Sequence, residues 1–589
     1  MSGRPIYRNP VYPHSFPDPF VLKFRGEYWG YCTGFWHDGR AFGILRSRDL
    51  VDWQPLAGAL EPLPGGHPHY WAPEVAYLGG RFYLYYSVGN EGEGRMEIRV
   101  AVADHPAGPF ADAGRRLTSE PFAIDAHVFI DENGSRWLFY ATDFLERGHI
   151  GTGTVRDRML DPFTLAGEPR PVALPRHDWH VYHPNRPEKG FVRWHTVEGP
   201  FVLRRKGLYY EMFSGGNWQN PTYGVSYAMT RSLEDPQEWA QAADGERVLP
   251  ILRTGGEVVG PGHNCVVRGP DNRQLYCVYH RWSPGASARV MAIDPLDWAG
   301  ERMLVLGPTT TPQPGPNPPA ISDLLDEPAV LEPGEARWYE PGAPSFLVEV
   351  SAWGGFGIVL EEEAGELSRV PLPSPPDPRA VHLLRLEVDG PRVSLALDGL
   401  PAWQGTLGAP VRRLALAAGG TAAEFSGFAL TAGWEDLFAE DGDPAERGWE
   451  ILDGTWHVAG GRLSPGSPGA VARGPFLPAY ELVVNVRGKD WTVAPAVDQE
   501  GAGPRLTLEE LDQGWILASA EQIFPLPAAF DSAIDQQLRF RKVEETIEIS
   551  WEGRILGTVP APAGPTRIAL GTRKAAASFE AVRVTAIPS

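Results

Sequence analysis

Residues 125–141 read DAHVFIDENGSRWLFYA. A polar residue leads a short apolar run, Asp-Glu-Asn-Gly interrupts it, and an aromatic-rich run follows. Two such runs around a Gly-containing turn read as paired antiparallel strands. The phrase recurs as DPFVLKFRGEYWGYCT from Asp18, EVAYLGGRFYLYYS from Glu74, EGPFVLRRKGLYYEMFS from Glu198 and HNCVVRGPDNRQLYCVYH from His263. Successive starts lie 56, 51, 73 and 65 residues apart. Each interval leaves room for two further strands, such as FGILRSRD and EIRVAVAD. Four antiparallel strands repeated five times predict a five-bladed β-propeller over residues 1–305.

The reading changes beyond the fifth repeat. LGPTTTPQPGPNPPA, from Leu306 to Ala320, cannot continue a helix or a sheet and predicts a linker over 306–322. Short alternating runs then follow, such as SFLVEVSAW, HLLRLEVDG and RVSLALDG, bounded by Gly, Pro and Asp-Gly turns. A second set includes YELVVNVRG and IEISWEGRILG. The pattern predicts two concanavalin-like β-sandwich modules, at 323–433 and 434–589, in a chain that is all-β throughout.

Composition restricts function. The 589 residues carry a formal net charge of −21, which argues against a nucleic-acid partner and against an anionic membrane surface. No apolar run approaches transmembrane length. The start lacks a basic-then-apolar signal pattern, so a cytoplasmic location is expected. Three Cys cannot form a disulfide framework. Twenty Trp, 19 Tyr and 25 Phe in a turn-rich chain point to β structure and to sugar-stacking faces.

Chemistry concentrates in the propeller, where thirteen of the 15 His lie before residue 300. The leading residues Asp18, Glu74, Asp125, Glu198 and His263 would converge on the propeller axis. Gathered carboxylates raise one another's pKa, a cost that marks a functional site. Paired carboxylates beside aromatic walls suit glycoside hydrolysis. Asp18, between two prolines, has the short reach and stiff backbone of a base that orients water. The longer Glu198 suits an acid that must reach a glycosidic oxygen, and Asp125, on an apolar strand, suits a partner that tunes it. Trp71 is expected as a stacking platform, with Phe35 and Trp36 along the same pocket. Glu74 is equally compatible with a structural role.

The ordered motifs PDPF, WAPEV, IDAHVF, VEGPFV and GPGHN, spread over Asn9–Leu306, resemble family 43 of the glycoside hydrolases. The resemblance implies a five-bladed propeller enzyme of inverting mechanism, with Asp18 as general base, Asp125 as pKa modulator and Glu198 as general acid. It matches His263 to an axial histidine that in many members holds a structural Ca2+ through water, and Arg289 to a substrate-gripping arginine. No cofactor is required for the chemistry. The implied substrate is an oligosaccharide of the plant cell wall, cut by exo-action at terminal α-L-arabinofuranosyl or β-D-xylosyl residues. Exo-galactosidase action on galactan and a catalytically inactive carbohydrate-binding propeller are the alternatives. Related propeller families that retain configuration through an Asp nucleophile are a mechanistic rival. In related β-xylosidases a C-terminal sandwich helps close the pocket.

Overall fold

The hairpin that opens each repeat is set by its turn. Arg25-Gly26, Gly79-Gly80 and Lys206-Gly207 all have positive φ, the two-residue geometry whose twist matches that of the flanking strands. In a computed structural model describing residues 6–146, 148–190, 192–242, 249–373 and 380–588, five opening hairpins, those three and two with longer turns, head five β-sheet blades. Blade 1 pairs Phe20–Phe24, Glu27–Tyr31, Ala41–Ser47 and Gln54–Leu60 in order. The inner strands of the other blades are His69–Leu78, Ala123–Ile130, Val192–Arg205 and Gly262–Arg268. Blades 3 and 4 are bridged by a short parallel pairing of Gly151 and Thr152 with His195 and Thr196. This all-β propeller is followed by further β-sheets, as the sequence predicts.

The propeller has a ring of cores between neighbouring blades. Phe82, Leu84 and Tyr86 of blade 2 pack with Tyr31, Phe42 and Ile44 of blade 1. Tyr85 and Val100 pack with Leu138 and Tyr140 of blade 3. Burying one such large side chain stabilises by about 1.5–3 kcal/mol. The ring closes without a shared strand. The N-terminal segment lies along blade 5 instead, where Phe16 N–H donates to Arg289 O at 2.8 Å and the Asn9 amide to Ile293 O at 2.7 Å. The Pro-rich segment also docks here: Gln313 and Pro314 pair with Tyr7 and Ile6, and Thr309 donates to Asp294 at 2.6 Å.

The two C-terminal modules have separate cores, one built around Phe346, Leu386 and Phe425 and the other around Trp434, Leu482 and Phe540. The boundary expected at 433/434 falls inside one strand, Val411–Asp436, whose last four residues pair with Val582–Thr585 of the second module. One sheet therefore runs through both. Together the modules cover the face of the propeller where the inner strands end. The five first-hairpin turns all meet them: Gly26 against Gly427, Gly80 against Ala380, Gly134 near Leu400, Lys206 on Glu580 and Arg273 on Glu387.

Candidate active site

The opposite ends of the inner strands carry a repeated irregularity. A bulge shifts the register between Trp71 and Glu74, Ile124 and His127, Glu198 and Phe201, and Gly262 and Cys265. Inside the bulges, Ala72, Asp125, Gly199 and His263 have φ of 44°, 62°, 59° and 47°, and Asp18 in blade 1 has 51°. A left-handed conformation costs a non-glycine residue about 1–2 kcal/mol, so its recurrence at one place in every blade is a built feature.

The backbone amides at these positions are tied to the preceding blade. Ala72 N–H donates to Thr33 Oγ1 at 2.7 Å, Asp125 to Ser87 Oγ at 2.9 Å, His263 to Ser214 Oγ at 2.7 Å and Asp18 to His280 Nδ1 at 3.2 Å. Blade 4 departs from this scheme. The residue of blade 3 in the place of Ser87 and Ser214 is Ala141, which has no acceptor side chain. Gly199 N–H donates instead to Asp125 Oδ2 at 3.0 Å.

These strand ends enclose a cavity of about 330 Å³. The lining includes, from every blade, a polar or aromatic side chain at or just before the left-handed position: Asp18, Trp71, Asp125, Glu198 and His263. In blades 1, 3 and 5 that side chain belongs to the left-handed residue, and in blades 2 and 4 to the residue before it. Arg289 and Trp218 join them, with the guanidinium 4.4 Å from the indole centre. Glu91, Tyr182 and Arg186 also line the cavity, with Arg186 on Glu91 at 2.9 Å. All the lining residues described belong to the propeller.

Three expected residues lie elsewhere. Trp36 is packed over Gly43 and donates to Leu56 O at 2.7 Å, which fixes it inside blade 1. Phe35 is 52% exposed and rests on Tyr70. Glu74 sits two residues past the bulge position and faces the axis farther along. There its carboxylate accepts from His127 Nδ1 at 2.8 Å, while His127 Nε2 accepts Val202 N–H at 3.0 Å. Glu74 thus ties blade 2 to blade 4 through an imidazole.

The carboxylates sit in different fields. Burial would raise Asp18, but Arg289 at 2.8 Å, His263 and His280 overcome it and hold Asp18 well below the usual carboxylate range. Burial raises Glu198 to about 7, and the charge of Asp18 adds to the rise. Tyr223 opposes it by donating to Glu198 Oε1 at 2.8 Å. Asp125 is pushed well above its ordinary value by burial, then by Glu198 and Asp18. The site therefore sets an ionised carboxylate opposite a protonated one across a shared cavity.

His263 offers one imidazole nitrogen, 3.6 Å from Asp18 Oδ1. Calcium prefers six to eight oxygens, and among the described residues no three His, Cys, Asp or Glu gather in a metal-binding group. The protein groups described here do not by themselves compose a calcium site. Sequence reasoning missed Tyr223, His280 and Trp218. His280 closes the fifth repeat, and its ring stacks on Tyr223 at 5.7 Å. Trp218 and Tyr223 lie in a loop with no repeat signal, GGNWQNPTYG.

Known proteins share the propeller region of this chain. The family described as "Glycosyl hydrolases family 43" matches residues 7–303. The β-D-galactofuranosidase xynD of Aspergillus niger is 30% identical over 306 residues, covering 48% of this chain and 78% of that protein. An extracellular exo-α-(1→5)-L-arabinofuranosidase of Streptomyces chartreusis is 30% identical over 291 residues, covering 46% of this chain and 82% of that one. The crystal structure of a thermostable family-43 glycoside hydrolase is 32% identical, with a TM-score of 0.47, over 53% of this chain and 99% of that chain.

Proposed function

Since the chain belongs to glycosyl hydrolase family 43, we propose that this glycosidase is an inverting exo-acting furanosidase that removes terminal α-L-arabinofuranosyl residues from oligosaccharides. The observation that carries the reading is the separation of acid from base. Asp18 is ionised on Arg289, while Glu198 stays protonated up to about pH 7. Asp18 takes the proton of a water as that water attacks the anomeric carbon. Glu198 protonates the departing glycosidic oxygen from the other side. Asp125, fixed by Gly199 N–H, faces Glu198, and each of the two carboxyls resists ionisation while the other is charged. Arg289 and Trp71 hold the sugar in reach of both.

Two features favour one terminal furanose. The cavity, about 330 Å³, is at the small end for ligand sites and suits a single sugar unit. The relatives named for β-D-galactofuranose and α-L-arabinofuranose act on rings of the same configuration, which differ only in the exocyclic group. A panel of 4-nitrophenyl α-L-arabinofuranoside, β-D-galactofuranoside, β-D-xylopyranoside and β-D-galactopyranoside tests the substrate. NMR of the first-formed anomer tests inversion. Preference for the xyloside or galactopyranoside refutes the furanose reading, and first-formed product of retained configuration refutes the mechanism. Binding without turnover on any substrate would make the propeller a carbohydrate-binding unit.

A further inference from the structure

A second cavity, of about 300 Å³, lies at the other end of the inner strands, between the propeller and both C-terminal modules. In a chain of net charge −21, its wall carries seven basic side chains and three acidic ones. Most of the cations are matched from behind. Arg205 grips Glu580 through both nitrogens at 2.9 and 3.0 Å, Arg583 meets Asp297 at 2.7 Å and Arg273 meets Glu387 at 2.9 Å.

Arg268 is the exception. It ends the inner strand of blade 5, and among the described residues its guanidinium has no hydrogen bond or ion pair. Its side chain is exposed and lines the cavity. Another cation of the same cavity wall, Arg385 of the first sandwich, is the main influence that lowers Arg268 to about 10. Arg385 has one carboxylate, Glu349 at 3.4 Å, and shares it with Lys23. The carboxylates that act on Arg268 are Glu349, Glu387 and Glu435, and each already serves another cation: Lys23 and Arg385, Arg273, and Arg583.

We infer that the Arg268–Arg385 cavity binds a small multivalent oxyanion, a phosphate or the phosphoryl group of a sugar phosphate, which pins the first sandwich to the propeller. Guanidinium forks match such oxygens in charge and geometry. The volume admits a phosphate or a pentose phosphate and excludes an oligosaccharide. The cavity shares no lining residue with the catalytic one, so its occupancy can be read without turnover.

Thermal unfolding of the full chain is compared in phosphate and in chloride at matched ionic strength, and calorimetry follows inorganic phosphate and ribose 5-phosphate. Phosphate should raise Tm saturably by several degrees, with one site per chain. Arg268→Met and Arg385→Met should each abolish the shift, while Arg268→Lys keeps part of it. Turnover of Arg268→Met without phosphate should equal that of the parent chain. Tighter binding of ribose 5-phosphate identifies a sugar phosphate as the occupant; equal binding identifies free phosphate. No saturable shift, or the same shift in both Met variants as in the parent, overturns the proposal.

Discussion

Replacing Tyr223 by Phe should move the alkaline limb of the activity profile up by about one pH unit. The phenol donates to Glu198 Oε1 at 2.8 Å and lowers a carboxyl that burial has raised to about 7. A hydrogen bond to a charged acceptor contributes about 1.5–3 kcal/mol, and one to a neutral acceptor about 0.5–1.5. The difference favouring the carboxylate is therefore roughly 1–1.5 kcal/mol, close to one unit at 1.36 kcal/mol per unit. Without the phenol the acid form persists to higher pH, and the limb moves from about 7 to roughly 8. Phe keeps the ring that packs on Gly262 and stacks on His280. The assay must use an unactivated substrate such as an arabino-oligosaccharide, because nitrophenolate leaves without protonation. An unmoved or lowered alkaline limb in a folded Tyr223→Phe variant would refute the placing of Glu198 as the acid.

Glu198→Gln should lose roughly 10²–10⁴-fold in kcat/KM on that substrate and far less on a dinitrophenyl glycoside; equal losses on both would remove the acid role. Ala141→Ser offers Gly199 N–H the hydroxyl that neighbouring blades use, in competition with Asp125. A lost hydrogen bond of about 1.4 kcal/mol predicts roughly a tenfold fall in kcat with KM held, and unchanged kinetics would show that the Gly199–Asp125 bond is idle. Glu580→Ala leaves Arg205 and Lys206 unpaired at the join of propeller and sandwich. Breaking a buried pair costs about 3–5 kcal/mol, so thermal unfolding should start several degrees lower, and a parental Tm would refute the docking role.

The blades were legible because each hairpin announces itself locally, by a polar start, an apolar run, a Gly turn and an aromatic run. The bulges were not, because a bulge is a relation between two strands and leaves no fixed residue type. Aligning the repeats on their first charged residue put Glu74 beside Asp18, whereas the backbone makes Ala72 the equivalent of Asp18. The same slip put Trp71 in the cavity and sent Glu74 along the axis to His127. Asp18, Asp125, Glu198, Trp71, His263 and Arg289 nevertheless meet in one place, because their motifs sit at blade spacing. The sandwich strands were readable one by one, but not that Val411–Asp436 serves both modules, since nothing local distinguishes a strand that crosses a boundary.

The departure from symmetry at blade 4 links fold to chemistry. Four of the five amides at the left-handed positions donate to a side chain on or just past the second strand of the preceding blade, which holds the bulges in register. If blade 3 carried a hydroxyl at 141, the fifth amide would do the same, and Asp125 would face the cavity with one fewer donor. Ala141 removes that option, and glycine at 199 lets the strand end approach closely, where a Cβ would lie 3.3 Å from His263 Nδ1. The freed amide then holds a carboxylate that burial would otherwise leave under-solvated. In the proposed mechanism the motif VEGPF thus couples two functions in adjacent residues: Glu198 supplies the proton, and Gly199 supplies the dipole that orients the group tuning it. A substitution at 199 therefore acts on the chemistry through Asp125 even though glycine brings no side chain to the cavity.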